Sequence, residues 1–159
     1  MTFTEGTSAY AHHVGRYGPA LSSVHVDAAG IARGDSALDV GCGPGVLLAE
    51  LARRLGLERV AGVDPSPPFV DRARAAVPGA DVRSAAVEEL PFESDSFDVV
   101  LSQLVVNFMS DAHAGVAEMD RGSVVAHVAL AEVACHAGGR GFESRRSRTC
   151  GSPPPRPWP

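Results

Sequence analysis

The chain has 159 residues, 45% of them hydrophobic, and a formal net charge of -5 at pH 7. That length holds one domain around a single core and leaves no room for a second catalytic domain. The acidic balance disfavours a nucleic-acid partner gripped by a broadly basic face.

The opening residues, MTFTEGTSAYAHH, lack a basic start followed by an apolar stretch, so they do not read as a signal peptide. No run of roughly 18 apolar residues offers a membrane span. Cys42, Cys135 and Cys150 are odd in number and widely spaced, without a CxxC pair, which argues against a disulfide framework or a zinc site. The expectation is a cytoplasmic protein with no metal, no membrane and no nucleic acid among its partners.

In chain order, the head SAYAHHVGRYGPALSSVHVDAAG has apolar positions Val14, Leu21, Val24 and Val26 around a break at Gly18 and Pro19. It reads as one or two helical pieces over the ligand edge of a sheet. Next, ALDV (37–40) is a strand that stops at Gly41. In VLLAELARRLG, the residues Leu47, Leu48, Leu51, Ala52 and Leu55 recur at three- and four-residue spacing, the mark of an amphipathic helix. Glu50 and Arg54 support that helix at i,i+4, and Gly56 suits its C-terminal cap. The pattern repeats with a strand at 59–64 and a helix at 67–77 opened by Pro67 and Pro68. Strand-like stretches at 80–87 and 97–104 flank the turn EELPFESDS, and 111–119 reads as a further helix. GSVVAHVAL (122–130) is a candidate short fifth strand. Strands alternating with helices of this length imply right-handed crossovers and a parallel sheet covered on both faces, the doubly wound α/β class.

From about Ala137 the chain turns Arg- and Pro-rich with few core-forming residues, and is expected to be a disordered tail beyond a domain spanning 1–136. The string GRGFESR is one that the T-arm of a tRNA gene can encode, which points to a reading frame that has run out of its gene. Nothing after the fifth-strand candidate supplies sixth and seventh strands, so an edge is expected to stay open, inviting a homodimer.

Gly41, Gly43 and Gly45 fall between the first strand and the helix behind it. In an open parallel sheet, ligands bind outside the carboxyl ends of the strands, and a glycine turn there lets backbone touch ligand. The following helix N-terminus suits a carboxylate or phosphate. Asp64, 21 residues beyond Gly43, ends the next strand, where a carboxylate accepts both hydroxyls of a ribose through bonds worth roughly 1.5–3 kcal/mol each. Dinucleotide binders use G-x-G-x-x-G; here the spacing is G-x-G-x-G and Val46 stands in the third glycine's place. S-adenosylmethionine has no pyrophosphate, and Asp39 is placed to hold its ammonium directly or through water. Cys42 is read as filling a small buried space, His12 and His13 as solvated, and the acids of EELPFESDSFD as a turn and the start of a strand.

The segments LDVGCGPG, VAGVDPS, VEELPFESDSFDVVLS and GVAEM, in this order and spacing over about residues 8–119, resemble the class I S-adenosylmethionine-dependent methyltransferases. Within them the chain is similar to the small-molecule group related to ubiquinone and menaquinone biosynthesis. The resemblance implies cofactor contacts at Asp39, Gly41, Gly43, Gly45, Asp64 and Pro65, with Val87 and Glu88 near the adenine. It further implies a pocket wall from Ser102 and Gln103, and Tyr10 and Arg16 closing over the methionine end. The chemistry implied is in-line methyl transfer to a small organic acceptor, which needs alignment and water exclusion more than a dedicated acid or base, so no catalytic residue is assigned. The chain departs from the pattern at Ala86, where the family usually has an acid, and after GVAEM, where the usual basic, glycine-rich turn and late strands are missing. The rival readings are a non-catalytic cofactor-binding remnant or pseudogene product, and an NAD-dependent oxidoreductase, which Val46 and the lack of a Tyr-Lys pair weaken.

Overall fold

The computed structural model describes residues 17–123 and 129–131. Tyr10, Arg16, His12, His13 and the Arg/Pro-rich tail lie outside the described residues. Helix α1 (Gly18–Ala28) precedes β1 (Ala37–Val40), α2 (Val46–Leu55), β2 (Val60–Asp64), α3 (Pro67–Ala76) and β3 (Asp81–Ser84). Then come β4 (Val99–Gln103), α4 (Ala112–Arg121) and a short β5 (Ala129–Ala131). The strands form one sheet in the order β3-β2-β1-β4-β5, and every pairing is parallel. The order reverses between β1 and β4, the place where an open α/β sheet leaves a crevice at its carboxyl edge.

The Gly18-Pro19 pair opens α1, since a proline in the first turn loses no hydrogen bond the helix would have made. β1 is buried along its whole length, with Ala37, Leu38 and Val40 at 0% exposure, because helices cover the sheet on both sides. On one face Val26 of α1, Leu48 and Leu51 of α2, and Val70 and Ala73 of α3 pack on Leu101 and its strand neighbours. On the other, Met119 of α4 joins Val87, Leu90 and Phe97 against Leu38 and Val100. Burying side chains such as Leu48 and Leu51 completely stabilises the fold by about 1.5–3 kcal/mol each.

Three strands differ in length from the sequence expectation. β3 stops at Ser84 instead of reaching Val87, where the chain turns away: Ala85 still donates to the Asp64 carbonyl (3.3 Å), but Arg83 reaches forward to the Pro91 carbonyl at 2.7 Å. β4 begins at Val99 rather than Phe97. The carboxylate of Asp98 is committed to Ser36, accepting from its N–H at 2.7 Å and its hydroxyl at 2.8 Å, a clasp that fixes the starts of β1 and β4 together. The fifth strand occupies only Ala129–Ala131, and Ser123 makes a separate parallel bridge to Phe97.

Candidate cofactor site at the carboxyl edge

The glycine turn is held by the end of β2. The Val63 carbonyl accepts the N–H groups of both Gly41 (2.8 Å) and Cys42 (2.9 Å), and the Asp64 carboxylate accepts from Gly43 (2.9 Å) through one oxygen and Ser66 (2.9 Å) through the other. Gly41, Gly43 and Gly45 all have positive φ, at 71°, 52° and 91°. The first two serve different ends. A Cβ on Gly41 would lie 2.5 Å from two methyls of Val105, so its missing side chain makes room for the segment after β4. A Cβ on Gly43 would meet no atom within 4 Å; this is the glycine whose backbone stands open to a ligand. Gly45 instead lets α2 approach α3, its Cβ position being 3.2 Å from Ala73 Cα.

Asp39 lies under this turn, 1% exposed, and its Oδ2 is buried without a hydrogen-bond partner. Burial pushes its carboxyl up to about 8; the charge of Asp64 adds to the rise, while the Leu48 N–H in the first turn of α2 opposes it. A buried polar atom left without a partner costs about 1–3 kcal/mol, and the cost falls when a ligand supplies one. Asp64 is also raised by burial, against the N–H groups of Ser66 and Gly43. The Cys42 thiol is buried and pushed well above its ordinary range by desolvation and the two carboxyls, and it packs beneath Gly62, so it is a space-filler rather than a nucleophile.

Of the residues named from the sequence, Asp39, Gly41, Gly43, Gly45 and Asp64 come together, with Pro65 exposed beside Asp64. Ser102 and Gln103 end β4, next to β1. Ser102 is 1% exposed and its Oγ has no partner. Gln103 is tied to α1: its amide nitrogen donates to Ser22 Oγ (3.2 Å) and its amide oxygen lies 3.4 Å from His25 Nδ1. Val87 sits in the opposite core layer, close to Gly115. The Glu88 carboxylate accepts the N–H groups of Ser110 (2.8 Å) and Asp111 (3.0 Å), which hold it below the usual carboxylate range, so it fastens the turn after β3 to the start of α4. Two contributors had no signal in the sequence, the Val105 wedge against Gly41 and the Ser22-His25 grip on Gln103, because both pair residues far apart along the chain.

No metal-holding group of three or more His, Cys, Asp or Glu exists among the described residues. No helix among them is long and apolar enough to cross a membrane.

A methyltransferase domain family matches residues 38–122, from β1 to the end of α4. The trans-aconitate 2-methyltransferase of an Enterobacter species is 36% identical over 77 residues, 48% of this chain and 30% of that protein. The ubiquinone biosynthesis O-methyltransferase of Rhizobium etli is 38% identical over 78 residues, 46% of this chain and 31% of its own length. A Haloferax volcanii putative methyltransferase, solved in complex with the Trm112 methyltransferase activator, superposes with a TM-score of 0.62 at 26% identity over 73% of this chain and 50% of that one. The chain thus spans about a third of the curated relatives named and half of that solved structure. With the family match covering more than half of its residues, and a parallel β3-β2-β1-β4-β5 sheet beneath the glycine turn, the chain belongs to the class I S-adenosylmethionine-dependent methyltransferases.

Proposed function

We propose that this domain binds S-adenosylmethionine at the carboxyl edge of β1 and β2 and transfers its methyl group to a small organic acceptor. The observation that carries the reading is the orphaned, buried Asp39 Oδ2 lying under a turn whose Gly43 is open. The residues fit the group. Asp39 offers the missing acceptor for an ammonium, Gly43 allows close backbone approach, and the N-terminus of α2 lies behind the turn. Asp64 spends one lone-pair site of each oxygen on Gly43 and Ser66, and a carboxylate has about four such sites, so two remain for ribose hydroxyls.

Pro65, Val87 and Glu88 line the adenine side in this reading, Ser102 and Gln103 form the wall, and Tyr10 and Arg16 close over the methionine end. When bound, the cofactor supplies a methyl group on a sulfonium, which an acceptor oxygen, nitrogen or carbon takes in line as the carbon–sulfur bond breaks, its proton passing to water. The protein's part is to align the two molecules and exclude solvent; holding reactants in register accounts for several kcal/mol of a barrier. The domain extends over 1–136, in the cytoplasm, with the three-residue β5 as the edge through which two copies pair.

Titration calorimetry with S-adenosylmethionine, with NAD as comparator, tests this on the full chain and on Gly43→Ala. Micromolar binding to the parent chain, weakened at least tenfold in Gly43→Ala and absent for NAD, is the expected result. Preference for NAD, or equal binding by both proteins, overturns it.

A further inference from the structure

Two non-glycine residues among those described have a left-handed backbone, Asp95 (φ 56°) and Leu104 (φ 62°). Asp95 lies in an exposed turn, and aspartate tolerates this conformation because its short polar side chain bonds locally. Leu104 has no such compensation. For a leucine the conformation is uncommon, and it persists where the surrounding structure imposes it. Leu104 stands directly after β4, beside the point where the strand order reverses.

A contact on each side of Leu104 imposes its conformation. Before it, Gln103 is tied to α1: its amide nitrogen donates to the buried hydroxyl of Ser22 (3.2 Å), and its amide oxygen lies 3.4 Å from His25 Nδ1. After it, Val105 sets both methyls against Gly41, each 2.5 Å from where a Cβ would stand. The sheet register makes that path unusual. Asp39 pairs with Leu101, so the same register carried two residues further puts Gln103 level with Gly41. An extended chain would take Val105 about 6–7 Å beyond that level. The left-handed Leu104 folds it back instead.

These contacts form a ring. The glycine turn leads into α2, and Arg54 of α2 reaches Ser23 and Asp27 of α1. Helix α1 holds Gln103 through Ser22, and Val105 returns to Gly41. From the other side β2 grips the same turn, the Val63 carbonyl accepting from Gly41 and Cys42 and the Asp64 carboxylate from Gly43. Leu104 is the residue that bends so that the ring can close.

We infer that Leu104 and Val105, anchored by Gln103, are positioning residues for the cofactor: a strained brace that presses the glycine turn against β2 and so sets the Gly43 backbone before the ligand arrives. This rests on the methyltransferase reading above, and the brace acts through Gly41. A turn ordered in the free protein binds more tightly because its ordering is complete before the ligand enters. A glycine at position 104 would adopt the same φ without strain but would no longer enforce it, so binding and stability part company there.

Calorimetry with S-adenosylmethionine, thermal unfolding, and amide hydrogen exchange at Cys42 and Gly43 test this on the full chain. Leu104→Gly releases the brace, Val105→Ala removes the pressing methyls, and Val105→Ile keeps a branched side chain there as the rescue. In Leu104→Gly the unfolding midpoint is expected to stay within about 3 °C of the parent. Its Kd should weaken about tenfold, the effect of leaving one residue to be ordered at binding. Exchange at Cys42 and Gly43 should quicken about tenfold in the free variant and match the parent once ligand is bound. Val105→Ala should show the same two losses and Val105→Ile neither. Unchanged Kd and exchange in Leu104→Gly, a Kd that falls only in step with the unfolding midpoint, or Val105→Ile behaving like Val105→Ala overturns the inference. If the parent fails to bind S-adenosylmethionine, exchange still decides: faster exchange in Leu104→Gly overturns the methyltransferase reading alone, and unchanged exchange overturns both.

Discussion

Replacing Asp39 by asparagine tests the electrostatics of the site through its stability. Asp39 is raised from the ordinary aspartate range to about 8, mainly by burial. A carboxyl raised on folding binds its proton more tightly in the native state, so its contribution to stability is complete below about pH 4 and is lost as pH climbs toward 8. About four units at about 1.4 kcal/mol each set a ceiling of about 6 kcal/mol on that loss. The asparagine side chain has the same shape, never ionises and leaves an amide where Oδ2 was. The unpaired group is therefore common to both proteins and largely cancels, and so does the parallel titration of Asp64. Urea unfolding at pH 4.5, 6, 7.5 and 8.5 is expected to show near-equal stability at the acid end and a widening advantage for Asp39→Asn, several kcal/mol at pH 8.5. Cofactor binding should show the same group from the other side. Calorimetry of the parent at pH 7 in buffers of different ionisation enthalpy should report about one proton released as the ammonium displaces it, and none for Asp39→Asn. Parallel stability profiles for the two proteins, or equal proton release, would refute the assignment.

Gly41→Ala should cost about 2–4 kcal/mol in denaturant unfolding, combining a left-handed alanine with overlap against Val105, and Val105→Ala should recover part of it in the double variant; no recovery would mean that the wedge is not the cause. Gly43→Ala should cost only about 1–2 kcal/mol of stability, because nothing occupies its Cβ position; a larger loss would show that the turn, not a ligand, requires that glycine. Arg54 joins Glu50 of its own helix to Asp27 and the Ser23 carbonyl and hydroxyl of α1, so Arg54→Met should lower stability by about 1–2 kcal/mol and speed hydrogen exchange in α1 specifically; uniform exchange across the fold would refute that local role. Glu88→Gln should raise amide exchange at Ser110 and Asp111 while the core strands stay protected, and unchanged rates there would show that the carboxylate does not hold the start of α4.

The first half of the fold was legible because its signals are local. The apolar spacing of Leu47, Leu48 and Leu51, the run before Gly41 and the prolines before Phe69 each fix an element from its own residues. The same holds for Asp39, Gly43 and Asp64, whose places follow once strand, turn and helix are laid end to end. What was not legible depends on partners distant in sequence. Asp98 looked like one acid among several in a turn, and only its bonds to Ser36 show why β4 starts after it. Gln103 has no partner legible in the sequence, and only with α1 folded onto it is its amide found bonded to Ser22 and close to His25. The bonds that Glu88 accepts from Ser110 and Asp111 were likewise not legible, because they join the turn after β3 to the start of α4. Asp64 is an intermediate case. Its bond to the Ser66 N–H is a two-residue Asx turn readable in D-P-S, whereas its bond to Gly43 required the sheet.

The carboxylates of this edge therefore do two things at once. Asp64, Glu88 and Asp111 each fasten backbone N–H groups of the turn or helix next to them, and Asp39 and Asp64 set two carboxyls side by side in buried surroundings. Asp39 is where the two demands conflict. Its carboxyl is drawn to the Leu48 N–H, its Oδ2 has no partner, and Asp64 across the turn disfavours its charge. A carboxyl in that position takes a proton when the site is empty and gives it up to a cation. Binding a positively charged ligand is thus coupled to relief of a strain that the fold already carries. The gain is selective, because a neutral ligand of the same shape would leave Asp39 protonated and receive none of it. S-adenosylmethionine and its neutral-sulfur product carry the same ammonium, so Asp39→Asn should weaken both by the same factor in calorimetry at pH 7, and unequal losses would refute the role given to Asp39. Whatever separates the two ligands therefore lies elsewhere than at Asp39, whose carboxyl answers only the ammonium they share.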